Sequence, residues 1–147
     1  MTLKELLVKH EGWKLKPYKC SAGKWTVGCG YNFSDNPLPE DIEKYLSITE
    51  CITDEMADRL LDLSIGWAVA DCHKLFPRFN KFSQKRQDAL IDFLFNVGIR
   101  TAKKFVHTIA AINTGRWEDA ADGFRNSAWF RQVNERGIEI ASMIEDG

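Results

Sequence analysis

Residues 10–32 read HEGWKLKPYKCSAGKWTVGCGYN, and this stretch decides the fold. Trp25, Val27, Cys29 and Tyr31 alternate with Thr26, Gly28 and Gly30, the period-two pattern of a strand. Pro17 and the Ser21-Ala22-Gly23 turn punctuate the residues before it, which predicts a small antiparallel hairpin. Trp25 and Val27 read as core-facing, so Thr26 faces the other way. Glycines at 28 and 30 weaken the strand, and they mark a place where another group approaches the backbone closely.

Upstream, Thr2-x-x-Glu5 is a capping box. Leu3, Leu6, Leu7 and His10 recur at helical spacing, and Gly12 stops the helix after Glu11. Downstream, residues 34–47 contain Pro37 and Pro39 and read as a loop with at most one helical turn. The SITEC segment, 47–51, reads as a third short strand. Thr53 then caps a long helix running to about Leu75, before Pro77. Ser83 caps another, with Ala89, Leu90, Phe93, Leu94 and Val97 on its apolar face and its end at Gly98. Further helices are expected from about Thr101 to Asn113, around Trp117, Ala120, Ala121 and Phe124, and around Ile138, Ala141 and Ile144. The last is broken early by Gly137. Trp25, Trp67, Trp117 and Trp129 fall on apolar faces and read as packing residues. The expected fold is α+β, mainly α. One domain spans 1–147, with a small sheet-bearing N-terminal lobe at about 12–53, a connecting helix at about 54–75 and a helical lobe at about 76–147. Two lobes on one helix would leave a cleft.

Composition limits what such a domain does. The 147 residues are 44% hydrophobic and 28% charged, as in an ordinary globular chain long enough to bury a core. No apolar run is long enough to span a membrane, and the N-terminus lacks a signal peptide's apolar core, interrupted as it is by Lys4, Glu5 and Lys9. Synthesis in a cytoplasm follows as an expectation. Net charge is −1, unevenly spread: residues 1–33 hold six Lys against two acids, and residues 34–71 hold ten acids against two basic residues. Such blocks are solvated helix faces or a basic surface for an anionic polymer. No helix-turn-helix or zinc-finger pattern supports nucleic acid as the partner. The four Cys (20, 29, 51 and 72) lack a Cys-x-x-Cys pair, and His10, His73 and His107 form no cluster, so neither a metal nor a cofactor is expected. In a reducing compartment the thiols stay free.

Glu11 is the first residue with chemical promise. It ends a helix, where the macrodipole disfavours a carboxylate. Burial there would raise its pKa towards that of a general acid, whereas exposure would make it an ordinary surface residue. Cys20 ends the first strand and Thr26 lies on the return strand, so the hairpin can bring both near one point. Taken singly, each is as readily a packing residue.

Their spacing is the stronger signal: Glu11, eight residues, Cys20, five residues, Thr26, with Gly12, Tyr18, Gly28 and Gly30 around them. This segment resembles the catalytic segment of phage-type lysozymes, glycoside hydrolase family 24, whose pattern is Glu, eight residues, Asp or Cys, five residues, Thr. RQDALIDFLFNVG (86–98), GRWEDAADGF (115–124) and FRQVNERG (130–137) resemble the family's later blocks in the family's order. The resemblance covers roughly residues 3–145. It implies a lysozyme-like fold and cleavage of peptidoglycan between N-acetylmuramic acid and N-acetylglucosamine. Glu11 would be the acid, and Cys20 and Thr26 would handle the water. Arg136 would pair with Glu11, and Phe95, Asn96 and Tyr31 would contact substrate. A monomeric endolysin is implied, made in a host cytoplasm and reaching the wall through a holin lesion without stable membrane insertion. The departures are Cys20 where many members have Asp, Tyr31 where the T-even enzymes have His, a shorter C-terminus, and near-neutral charge. A non-catalytic peptidoglycan-binding module and a structural phage component are the competing readings.

Overall fold

A computed structural model describes all of residues 1–147, which divide into two compact units, 1–64 and 65–147. The first opens with α1 (Leu3–Glu11), in which the Thr2 hydroxyl accepts from the Glu5 amide at 3.1 Å and Gly12 closes the end with its N–H on the Val8 carbonyl at 2.8 Å. Gly12 takes φ +85°, a region that side-chain-bearing residues avoid. Strands β1 (Lys14–Lys19), β2 (Trp25–Gly28) and β3 (Tyr31–Asn32) follow and form one antiparallel sheet in that order. Tyr18 lies opposite Thr26, Lys19 opposite Trp25, and Val27 opposite Tyr31. A small core of Val27, Tyr31, Ile42, Ile52, Ala57 and Leu60 gathers the sheet and the following helices, with Trp13, Leu15 and Met56 packed on it. Burial of these side chains is the main term holding so small a sheet together.

Two expectations for this unit are corrected. Residues 40–49 form a helix, α2 (Glu40–Thr49), rather than a loop, and the SITEC segment supplies its end rather than a third strand. Glu40, Asp41 and Glu43 suit the helix N-terminus, and the Ile42/Leu46 spacing gives it an inward face. Thr49 donates to the Tyr45 carbonyl at 2.9 Å, and Glu50 terminates the helix in the left-handed region with φ 63°. Ile48, within that segment, is 73% exposed. The third strand is Tyr31–Asn32.

Helix α3 (Asp54–Leu75) begins in the first unit and ends in the second. After a 3-10 turn at Phe79–Lys81 come α4 (Gln84–Ala102), α5 (Val106–Asn113), α6 (Trp117–Arg125), α7 (Ala128–Val133) and α8 (Glu135–Asp146). The Ser83 hydroxyl caps α4 by accepting from the Arg86 amide. Gly98 kinks α4 at φ 76°, but helical geometry resumes to Ala102, so the expected helix from Thr101 begins only at Val106. Helix α7 was not legible as a separate element; Ser127 caps it. Gly137 does not break α8. It lies inside the helix, at a place where a Cβ would meet Phe130 Cδ2 at 2.9 Å. Phe93 anchors this unit's core, with its ring 4.9 Å from Phe105 and Phe124 and 5.0 Å from Trp129, all near edge-to-face. Arg86 closes the C-terminal end of α8, donating from Nε to the Ile144 carbonyl at 2.7 Å while its guanidinium sits 4.1 Å above the Trp117 ring. Not every tryptophan packs: Trp25 and Trp67 are each 46% exposed.

Candidate active site

The site in the first unit is built on the hairpin. Backbone bonds fix the turn: the Cys20 amide donates to the Lys24 carbonyl at 2.9 Å, and the Gly23 amide to the Cys20 carbonyl at 2.8 Å. The turn curls its N–H groups around the Cys20 sulfur. Amides of Lys24 and then Ala22 hold this thiol below its usual pKa, and the Thr26 hydroxyl contributes in the same direction. Donors aimed at a sulfur favour the thiolate. Cys20 is partly exposed, whereas Cys72 is buried and its thiol is pushed up to about 12 by desolvation.

Thr26 is 4% exposed, and its Oγ1 donates to the Lys24 carbonyl at 3.1 Å. A hydroxyl has one proton, so Thr26 serves either that carbonyl or the Cys20 sulfur at a given moment, and its lone pairs stay available to a water. Across the ladder, Tyr18 faces Thr26, with Lys14 Nζ 4.6 Å above its ring. Burial raises the Tyr18 phenol pKa, and the negative fields of Glu11, Cys20 and Cys29 raise it further. Tyr18 thus stands within reach of both ionisable groups of the Glu-Cys-Thr set.

Glu11 reaches the same place from the end of α1. Its carboxylate lies on the Gly30 backbone, where an added Cβ would come within 2.7 Å of Oε2 and 3.1 Å of Cδ. Gly30 also takes φ +68°. The close approach expected at the paired glycines is therefore that of Glu11 at Gly30. Gly28 instead admits Ala57 and Ile52, with Ala57 Cβ 3.5 Å from where its own Cβ would be. Tyr31 is 2% exposed, its ring is part of the core, and its hydroxyl donates to the Pro37 carbonyl at 2.7 Å.

In the second unit, Phe95 and Asn96 are partly exposed, and Asn96 Oδ1 accepts from Trp129 Nε1 at 2.7 Å. Arg136 is 8% exposed and is held by Asp92, a fully buried carboxylate, with Nε and an Nη both within 2.8 Å of Oδ1. Sequence reasoning missed Asp92, although a lone acid inside the apolar run ALIDFLF was the signal for it. Tyr18 was likewise seen only as part of a pattern. No group of three or more His, Cys, Asp or Glu side chains is arranged to hold a metal ion.

A carboxylic acid at a helix end thus rests on a three-stranded sheet whose first turn and second strand carry a thiol and a hydroxyl. The chain belongs to the phage lysozyme family, whose model matches residues 8–143. It is 24% identical to a probable T4-type lysozyme of Dictyostelium discoideum, over 99% of this chain and 95% of that one. It is 29% identical to an endolysin of Acyrthosiphon pisum secondary endosymbiont phage 1, over 95% of this chain and 86% of the relative. It is also 29% identical to the pre-baseplate central spike protein Gp5 of Enterobacteria phage T4, but this match covers only 28% of that protein.

Proposed function

We propose that this protein is a muramidase that hydrolyses the β-1,4 bond between N-acetylmuramic acid and N-acetylglucosamine in peptidoglycan. The observation that carries the reading is the Glu11 carboxyl seated on Gly30, in the turn after β2, on the same small sheet that carries Cys20 and Thr26. Such hydrolysis needs a proton for the departing glycosidic oxygen and a water delivered to the opposite side of the anomeric carbon. Glu11 donates the proton. Thr26 accepts a hydrogen bond from the water, and Cys20, as thiolate, takes the proton that the water loses as its oxygen bonds to carbon. Inversion at that carbon is the expected stereochemistry. The amides around Cys20 favour its thiolate, the form that can act as a base.

Tyr31, expected from the resemblance to contact substrate, is buried in the core with its hydroxyl on the Pro37 carbonyl, so it is not assigned a substrate contact. Phe95 offers an apolar face to a sugar, and Asn96, with its carbonyl occupied by Trp129, keeps its amide hydrogens for an acetamido oxygen. Arg136 is the supporting cation, held in place by Asp92. The protein acts as a monomeric endolysin on the wall after the membrane is permeabilised; no helix is long and apolar enough to cross a membrane. A second reading, a structural phage component on the same scaffold, is favoured by the match to the Gp5 spike protein along the whole chain. Purified protein incubated with peptidoglycan, followed by mass spectrometry of new reducing ends, separates the two. N-acetylmuramic acid ends support the muramidase, and binding without cleavage supports a non-catalytic peptidoglycan-binding role on the same scaffold.

A further inference from the structure

Trp25 sits beside Thr26, but consecutive strand residues face opposite ways, so its indole lies on the other side of the sheet from the Glu11–Cys20–Thr26 set. The ring is 46% exposed, although its backbone is firmly held. Its amide donates to Ser34 Oγ at 2.8 Å, its carbonyl accepts from the Phe33 amide at 2.9 Å, and it pairs with Lys19 in the ladder. The Lys19 ammonium sits 5.4 Å from the ring centre and takes no part in an ion pair. Lys24, next in the chain, is neutralised by Asp35 at 3.1 Å. The patch is therefore one rigidly presented indole with a cation over its ring that no carboxylate neutralises. An exposed indole packs against the apolar C–H surface of a pyranose, and the ammonium at the same ring attracts a ligand that also carries carboxylates.

We propose that Trp25 and Lys19 form an exosite for a carboxylate-bearing glycan strand, distinct from the strand being cleaved. The occupant follows from the patch chemistry, from the position of Trp25 on the opposite face to Thr26, and from the reading of the protein as a peptidoglycan hydrolase, on which this inference rests. In an insoluble wall, many strands lie side by side. A contact to a neighbouring strand would keep the enzyme at the surface between cleavage events. A short soluble fragment cannot engage both faces of the hairpin at once, so the exosite contributes nothing to its turnover.

The test uses the full chain in two backgrounds. In Glu11→Gln, co-sedimentation with insoluble peptidoglycan reads binding without cleavage. In the unmutated enzyme, turnover of a short soluble glycan fragment reads the catalytic site alone. Trp25→Ala is expected to weaken sedimentation about tenfold, the loss of one good aromatic contact. Trp25→Phe should restore most of it, and Lys19→Gln should lower the salt sensitivity of binding. Soluble-fragment turnover should stay unchanged in all three. Unaltered sedimentation of a folded Trp25→Ala protein overturns the exosite. So does an equal loss in soluble turnover, because Trp25 would then act through Thr26. If Trp25→Ala misfolds, Lys19→Gln and Trp25→Phe decide the matter by the same readouts. Should Glu11→Gln leave cleavage intact, the assignment of the acid falls, and the effect of Trp25 is read instead from brief co-sedimentation in the cold, before cleavage releases bound strands.

Discussion

Glu11 and Gly30 are in contact: a Cβ on Gly30 would come within 2.7 Å of the Glu11 carboxylate oxygen. A glycine there does two things at once, since the position also takes φ +68°. Gly30→Ala is expected to cost about 1–2 kcal/mol of stability from the left-handed backbone alone. Because the obstructed atom is the tip of a flexible side chain, the clash is relieved by moving Glu11. Activity should therefore fall by more than the stability loss explains, on the order of 100-fold. Urea denaturation and glycan turnover measured on the same preparation check this. Loss of stability with full specific activity would show that Glu11 does not depend on Gly30.

Cys20 is expected to react with iodoacetamide faster than the other three thiols, because the Lys24 and Ala22 amides lower its pKa and it is partly exposed. Cys72, buried with its thiol pushed up to about 12, should be inert in the folded protein. Peptide mapping after brief alkylation near neutral pH reads both. The sign of the stability effect follows from the lowered pKa: ionised Cys20 stabilises the fold above the thiol pKa of the unfolded chain. That contribution is lost as pH falls through the lower folded-state value. Uniform alkylation of the four thiols would contradict the turn geometry.

Cys20→Asp should retain substantial activity, since a carboxylate accepts the same amide N–H groups and takes a proton from water. Cys20→Ala should lose it while melting close to the unmutated protein. The pH–rate profile of Cys20→Asp should have its basic-group limb moved to lower pH, towards the usual carboxylate range of about 4. An unmoved limb would remove Cys20 from proton transfer.

Asp92→Asn should be among the most destabilising single-atom exchanges in the chain. Asp92 is fully buried and Arg136 is 8% exposed, so the change removes a negative charge 2.7 Å from a nearly buried guanidinium. A loss of about 3–5 kcal/mol is expected. Equilibrium unfolding in urea measures it, and a loss within the range of a surface exchange would show that Arg136 finds another acceptor.

Much of this was legible in the chain before any coordinates. The Thr2 cap, the Gly12 stop, the hairpin and the long helix from Asp54 all follow from local chemistry, and each appears in the structure. The misreadings share a cause. Ile48 sits in a β-branched run, but Ile42 and Leu46 are what bury α2, and tertiary burial overrode local preference. Gly137 looked like a breaker because its reason for being small is Phe130, which a sequence does not place beside it. Trp25 alternated with Thr26 as a core residue should, yet it lies at the end of the strand beyond the cluster of Val27 and Tyr31. Within the site, the residue types and spacing were visible. The Gly30 seat for Glu11, the amide shell of Cys20 and the Asp92 support were not, because each is a contact made by folding.

The most direct measurement is the set of reducing ends released from purified peptidoglycan by the unmutated protein and by Glu11→Gln, with folding of both verified by circular dichroism. The account predicts N-acetylmuramic acid ends from the first and none above background from the second. Cleavage at the normal rate by a folded Glu11→Gln protein would contradict it.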